Sequence, residues 1–163
     1  MFHSILNRRG LLASAAGLLV LPAAARGKPC PPPRVLFVCP AGTVKSAIAR
    51  EVLKRRAVSG RLAVEVRSRG VQVEDHVSPA LAANLRADGI DPAAEPAQGL
   101  APADIAWADL VIAFDEAAAA PGLARARAWD TPSWNSDYAG ARLALSRHMD
   151  ALIAELASRG CAP

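Results

Sequence analysis

From residue 34 onward the chain alternates short, wholly apolar runs with stretches whose apolar residues recur every three or four positions. Residues 35–38 (Val-Leu-Phe-Val) carry no polar side chain, as in a strand covered on both faces. A helix is predicted over about 47–58, with Ile48, Val52 and Leu53 on one side and Arg50, Lys54 and Arg55 on the other. Gly60 ends it. A second strand is predicted over 62–66. Ser78-Pro79 reads as a helix opening, a capping hydroxyl followed by proline at the first helical position. That helix runs through Leu81 and Leu85 and stops at Gly89. Residues 108–114 supply another buried strand, ending at Asp115, and a short strand precedes Trp129. The segment from about 137 to 158 is a long helix carrying Leu143, Leu145, Met149, Leu152, Ile153 and Leu156, ended by Gly160.

Strand and helix alternating in one chain predict an α/β fold: a single three-layer domain, a short parallel sheet with helices on both faces. Ligands bind such sheets at the carboxyl ends of the strands. Cys39, the end of the strand at Phe114 and the loop from Trp129 to Trp134 then share one edge.

The 163 residues fit one domain with a real core. Alanine inflates the apolar fraction, and aromatics are only 4%, so Val, Leu and Ile are expected to form most of the core. The net charge of +4 is scattered along the chain rather than clustered, which argues against a nucleic-acid partner.

Residues 1–25 have the composition of an export signal. Arg8-Arg9 precede an apolar run over 11–21, and Pro22-Ala-Ala-Ala25 supplies small residues for cleavage. The arginine pair resembles a twin-arginine signal, with general secretion as the alternative. The apolar run is short for a membrane span. The expected organisation is a signal over 1–25, a Pro-rich segment over 26–33 and the α/β domain over 34–160. The product is expected to be exported, periplasmic, and free of the membrane after cleavage. Removing the signal lowers the charge to about +2. Of the three cysteines, Cys30 and Cys161 lie near the ends of the mature chain. In an oxidising compartment they either pair or remain free thiols.

The candidate chemistry lies in the loop after the first strand, Cys39-Pro40-Ala41-Gly42-Thr43-Val44-Lys45-Ser46. A strand, a short loop and a helix can cradle an oxyanion on backbone N–H groups at the helix N-terminus. A cysteine opening that loop is placed to act as a thiolate nucleophile. Alone, Cys39 would equally suit a buried strand end, and Ser46 suits an ordinary helix cap. Lys45 sits beside the positive end of the helix, which favours an anionic partner for it. The loop lacks the Gly-Lys pair and the earlier glycine of a nucleotide-binding P-loop. Trp129 and Trp134 suit either a site mouth or core packing. His76 reads as a loop residue and His148 as a helix-surface residue, and no metal site is expected.

These residues resemble the low-molecular-weight protein tyrosine phosphatase family: residues 35–39, five further positions, a basic residue, then Ser46. Ser68-Arg-Gly70 is similar to the family's Ser-Ala-Gly, and Gly89-Ile-Asp91 to its Gly-Ile-Asp. Ala108-Asp-Leu-Val-Ile and Phe114-Asp115 are similar to its Ala-Asp-Leu-Ile and Met-Asp. The likeness spans about 34–158 and implies the phosphotyrosine phosphatase I-like fold. It implies hydrolysis of a phosphomonoester or phosphoprotein without a cofactor. Cys39 forms a cysteinyl-phosphate, the loop 40–46 with Lys45 holds the phosphoryl oxygens, and an aspartic acid protonates the leaving group. The loop departs from the family's Cys-x-Gly-Asn-x-x-Arg-Ser at Ala41, Gly42 and Lys45. Lysine keeps the charge of arginine but not its planar fork. For the acid, an ungapped alignment of Trp129-Asp-Thr-Pro-Ser-Trp-Asn-Ser-Asp137 places Ser133. A looser one places Asp130, which is favoured as the catalytic acid beside Cys39 and Lys45, and Asp137 is a third choice. The departures leave a weakened relative that binds an oxyanion or phosphorylated partner as the alternative function. An arsenate-reductase-like thiol relay would need Cys30 or Cys161.

Overall fold

The computed structural model describes residues 31–74 and 77–159. The export signal, Cys30, Cys161, His76 and Gly160 lie outside the described residues. Four parallel strands, β1 (Arg34–Cys39), β2 (Glu65–Gly70), β3 (Leu110–Phe114) and β4 (Arg127–Trp129), form one sheet in the order β2-β1-β3-β4. The helices are α1 (Lys45–Ser59), α2 (Pro79–Ala87), α3 (Pro102–Trp107) and α4 (Tyr138–Arg159), with short 3₁₀ turns at Pro92–Ala94 and Asp115–Ala119.

Because successive strand residues face opposite sides, β1 feeds two cores. Val35, Phe37 and Cys39 join Ile48 and Leu53 of α1, Leu81 and Leu85 of α2, and Leu145, Met149, Leu152 and Leu156 of α4. Leu36 and Val38 face the other side, against Ala113, Ala117 and Leu123, with Ile105 and Trp107 of α3 beside them. The three-layer α/β architecture expected from the alternation is the one observed. The scarce aromatics are concentrated: Phe37, Phe114 and Trp129 meet with ring centroids 5.7–6.3 Å apart near the carboxyl edge of the sheet.

Several elements differ from expectation. The second strand begins at Glu65 and runs to Gly70, whereas the apolar pattern placed it over 62–66. Leu62 and Val64 do pack on the core, but they precede the strand. The paired segment is polar because β2 is an edge strand, and its arginines are held from the side. Asp104 of α3 lies 2.7 Å from Arg69 and 3.6 Å from Arg67. The Arg67 guanidinium lies 3.9 Å from the ring centre of Trp107, an attractive cation–π placement. Helix α3 has no long apolar period to reveal it. Its start is stabilised by the Asp104 carboxylate, which accepts the Ala101 N–H at 3.2 Å. Helix α2 opens as read, with the Ser78 hydroxyl accepting the Leu81 N–H. In α4, Leu143 is exposed while Leu145, Met149, Leu152 and Leu156 are buried.

The largest correction concerns Arg50, assigned by periodicity to the solvent side of α1. It is 1% exposed. Its guanidinium donates to Ser68 Oγ (2.8 Å), to the Pro92 carbonyl (3.1 Å) and to Glu51 Oε1 (2.6 Å). One side chain thus ties α1 to β2 and to the turn after α2. A buried guanidinium requires this satisfaction, and removing it strands its partners. Arg50→Ala is expected to cost about 3 kcal/mol, measured as a lowered urea midpoint at unchanged slope; a change within a few tenths of a kcal/mol would contradict this account.

Tyr138, the chain's single tyrosine, docks the start of α4 on the end of α2. Its hydroxyl donates to Asp88 Oδ2 at 2.7 Å, and Arg142 also pairs with Asp88 at 2.8 Å. Burial, with the Asp88 contact second, pushes the Tyr138 phenol up from 10.0 to about 12. A raised folded value means the contribution to stability is complete below pH 10 and is lost as pH rises from about 10 to about 12. Tyrosinate absorbance should therefore show one midpoint near 12 in the native protein and near 10 in denaturant. A native midpoint near 10 would mean the hydroxyl is not held by Asp88.

Candidate active site

The chain runs from β1 to β2 on one side and later to β3 on the other, so the carboxyl end of β1 is where the strand order reverses. That is the crevice where open parallel sheets bind ligands. Cys39 ends β1, Asp115 follows the last residue of β3, and the loop 40–44 leads into α1.

Backbone contact shapes the loop. Gly42 has φ +79°, and a Cβ there would lie 2.9 Å from Gly70 Cα. A Cβ on Gly70 would lie 2.8 Å from the Ala41 carbonyl oxygen. The segment after β2 continues along the loop, with N–H groups of Val71, Gln72 and Glu74 donating to the carbonyls of Cys39, Pro40 and Ala41 at 2.8–3.1 Å. The loop carbonyls are thereby turned back toward β2. The amides of Ala41, Thr43, Val44, Lys45 and Ser46 donate no hydrogen bond among the described residues. Pro40 has no amide hydrogen to offer.

The Cys39 sulfur is buried and receives the Gly42 N–H at 3.1 Å. Ser46 Oγ is 3.1 Å from the same sulfur and 3.3 Å from the Arg69 carbonyl oxygen. A thiol can donate to Ser46 while Ser46 donates to Arg69, whereas a thiolate would draw the hydroxyl proton to sulfur. The ordinary capping role read for Ser46 is replaced by this one, since α1 begins at Lys45, and its hydroxyl serves the sulfur rather than the helix backbone. The Cys39 sulfur thus stands at the N-terminus of α1 with an amide hydrogen and a hydroxyl against it.

Lys45 Nζ lies 2.6 Å from Asp115 Oδ2 and 2.8 Å from the Thr131 carbonyl oxygen. The lysine therefore bridges the start of α1, the end of β3 and the late loop. The hydroxyls of Thr43 and Thr131 are buried without a partner among the described residues.

These groups open on a cavity of about 270 Å³, walled by Cys39, Pro40, Ala41, Val44 and Lys45 from the loop, Asp115 from β3, and Ser133, Trp134 and Asn135 from the late loop. The structure brings Cys39 and Lys45 together there with Asp115, which periodicity had treated only as the end of a strand. Its signal in the sequence is its place directly after a buried parallel strand. Asp130 is exposed and does not line the cavity; its carbonyl faces His148 Nε2 at 3.3 Å. Asp137 is also outside it, its carboxylate accepting the Gly140 N–H at the start of α4. Trp129 is core, stacked on His148 at 4.6 Å, so that histidine is not merely a surface residue. Trp134 is buried yet walls the cavity. A larger cavity of about 690 Å³ lies between α1 and α4. Its guanidiniums on Arg55, Arg56 and Arg142 are engaged by protein partners, and it holds no nucleophile.

Known proteins place this geometry. Among solved structures, the chain is similar to a low molecular weight protein tyrosine phosphatase from T. tengcongensis, with 24% identity, 76% of this chain and 99% of that one covered, and a TM-score of 0.60. A low molecular weight phosphotyrosine phosphatase from Vibrio cholerae O395 shares 21% identity over 78% of this chain and 99% of its own, with a TM-score of 0.64. A thioredoxin-dependent arsenate reductase from Corynebacterium glutamicum shares 23% identity over 79% of this chain and 64% of its own, also at 0.64. At these identities the likenesses concern the fold. No curated protein matches the chain. The family model for low molecular weight phosphotyrosine protein phosphatase matches residues 34–128, the whole stretch from β1 to the middle of β4. With the cysteine loop, its backing strand and the sheet all inside that stretch, the chain belongs to the low molecular weight phosphotyrosine protein phosphatase family.

Proposed function

We propose that this chain is an exported phosphomonoesterase that works through a cysteinyl-phosphate on Cys39. The reading is carried by one observation: the Cys39 sulfur lies at the N-terminus of α1, contacted by the Gly42 amide and the Ser46 hydroxyl at 3.1 Å each. The sulfur attacks phosphorus, an S–P bond forms and the ester P–O bond breaks. The outward amides of the loop 40–46, with Lys45, hold the non-bridging oxygens, as donors aimed at developing charge do. Water then cleaves the S–P bond and releases phosphate. Family membership supports phosphomonoesters or phosphoproteins as the substrate class, and export rests on residues 1–25 alone.

A second reading is favoured by the state of Lys45. Its amine already has an internal carboxylate and a carbonyl as partners, so an oxyanion must share it. On this reading the site binds an oxyanion or a phosphorylated partner without turnover. Phosphate binding seen by calorimetry, with no aryl phosphate hydrolysis between about pH 4 and 8, a range that brackets the second ionisation of a phosphate monoester near 6, would favour it over the first.

The mature protein should hydrolyse p-nitrophenyl phosphate. Cys39→Ser should remove turnover completely while leaving inorganic phosphate binding measurable by calorimetry. Persisting turnover in that variant would exclude Cys39 as nucleophile.

Lys45→Ala should lower kcat by about 10²–10³, the usual loss when one transition-state donor is removed. A rate within a factor of two of wild type would show that the amine does not reach the phosphoryl group.

A further inference from the structure

The late loop, where a proton donor was sought, offers the cavity no carboxylate. Ser133 walls it, and serine does not give up its proton near neutral pH; Asp130 and Asp137 stand outside. Asp115 is the one carboxylic residue lining the cavity among the described residues. It reaches that position from β3, at the crevice where the strand order reverses, with a side chain 27% exposed.

Its backbone is unusual. Asp115 has φ +53°, one of two non-glycine residues in the left-handed region among those described. Such conformations carry strain and persist where the surroundings hold them. Here the turn follows immediately after a buried strand, and the carboxylate comes to 2.6 Å from the Lys45 amine. Lysine has three N–H donors. Two meet Asp115 and the Thr131 carbonyl, which leaves one for a ligand oxygen beside Cys39.

We propose that Asp115 is the proton donor to the leaving group, with Lys45 shared between that carboxyl and the phosphoryl oxygens. The proposal rests on the phosphomonoesterase reading above. The proton enters with the substrate: a monoanionic ester beside a carboxylate holds the same protons as a dianionic ester beside a carboxylic acid. As the Cys39 lone pair forms the S–P bond, the P–O electron pair leaves with the alcohol oxygen and takes the proton from Asp115. In the second step the Asp115 carboxylate accepts a proton from the attacking water. The S–P electrons return to Cys39, and phosphate and the carboxylic acid are regenerated.

The test compares leaving groups in the full mature protein. p-Nitrophenolate departs without help, whereas the phenolate of phenyl phosphate needs a proton. Asparagine tolerates the left-handed backbone as well as aspartate does, so Asp115→Asn should fold, checked by its urea midpoint. Its kcat/KM, which reports only the steps up to departure of the leaving group, should fall on phenyl phosphate by about 10²-fold or more, the range expected for loss of a general acid, and on p-nitrophenyl phosphate by about tenfold or less. Asp130→Asn should change both substrates in the same proportion. Equal losses on the two substrates in Asp115→Asn would overturn the donor role and leave only positioning of Lys45. A leaving-group-selective loss in Asp130→Asn would overturn it in favour of the late loop. Wild type inert toward both esters would instead overturn the phosphomonoesterase reading itself, and the donor role with it.

Discussion

Everything at this site depends on a contact between two glycines. Gly42 in the loop and Gly70 at the end of β2 approach so closely that a Cβ on either would enter the other's backbone. That contact seats the loop on the edge of the sheet and lets three amides after β2, those of Val71, Gln72 and Glu74, hold the carbonyls of Cys39, Pro40 and Ala41 from behind. With those carbonyls held by the segment behind, Gly42 points its N–H at the Cys39 sulfur. An anion cradle made of backbone needs this arrangement, because amides carry the positive ends of the peptide dipoles and no side-chain charge is required. The departure from the family's Gly-Asn to Ala41-Gly42 is compatible with it, since the left-handed position falls on the glycine.

Charge below and beside the loop is organised in two separate ways. Arg50 is buried, and each of its three guanidinium nitrogens donates to a protein partner, Glu51, Ser68 or the Pro92 carbonyl, so it acts as internal structure joining three elements. Lys45 is only partly buried and keeps a free donor, so it remains able to meet a ligand. It stands where the family pattern has arginine, and it pairs with Asp115. A planar fork can grip two phosphoryl oxygens, but an ammonium can divide its three donors among a carboxylate, a carbonyl and one oxygen. Through Lys45 the start of α1, the end of β3 and the late loop meet at one point.

Much of this was legible in the residues. β1, α1, α2, β3 and α4 were each marked by period, cap or turn chemistry, and the cysteine loop followed from strand, loop and helix in order. What escaped had physical reasons. β2 is polar because its arginines find partners on α3, a relation 35 to 37 residues away in sequence for Arg69 and Arg67. Arg50 looked like a solvent-side residue because a lone arginine in a helical period carries no sign of the three groups waiting for it. The late loop misled because proximity in sequence to Trp129 and Pro132 drew attention to Asp130, whereas the chain turns that residue outward.

By itself, then, the sequence determined the alternation of strand and helix, the family, and the cysteine that opens the loop between β1 and α1. These rest on local period and short-range spacing, which are properties of the chain one segment at a time. Only the tertiary structure decided which carboxylate shares the cavity with Cys39, which arginine is buried, and what Lys45 touches. Those are meetings between residues 18 to 86 positions apart, set by the order in which parallel strands lie in the sheet, and a parallel sheet brings together at one edge residues that no local pattern links.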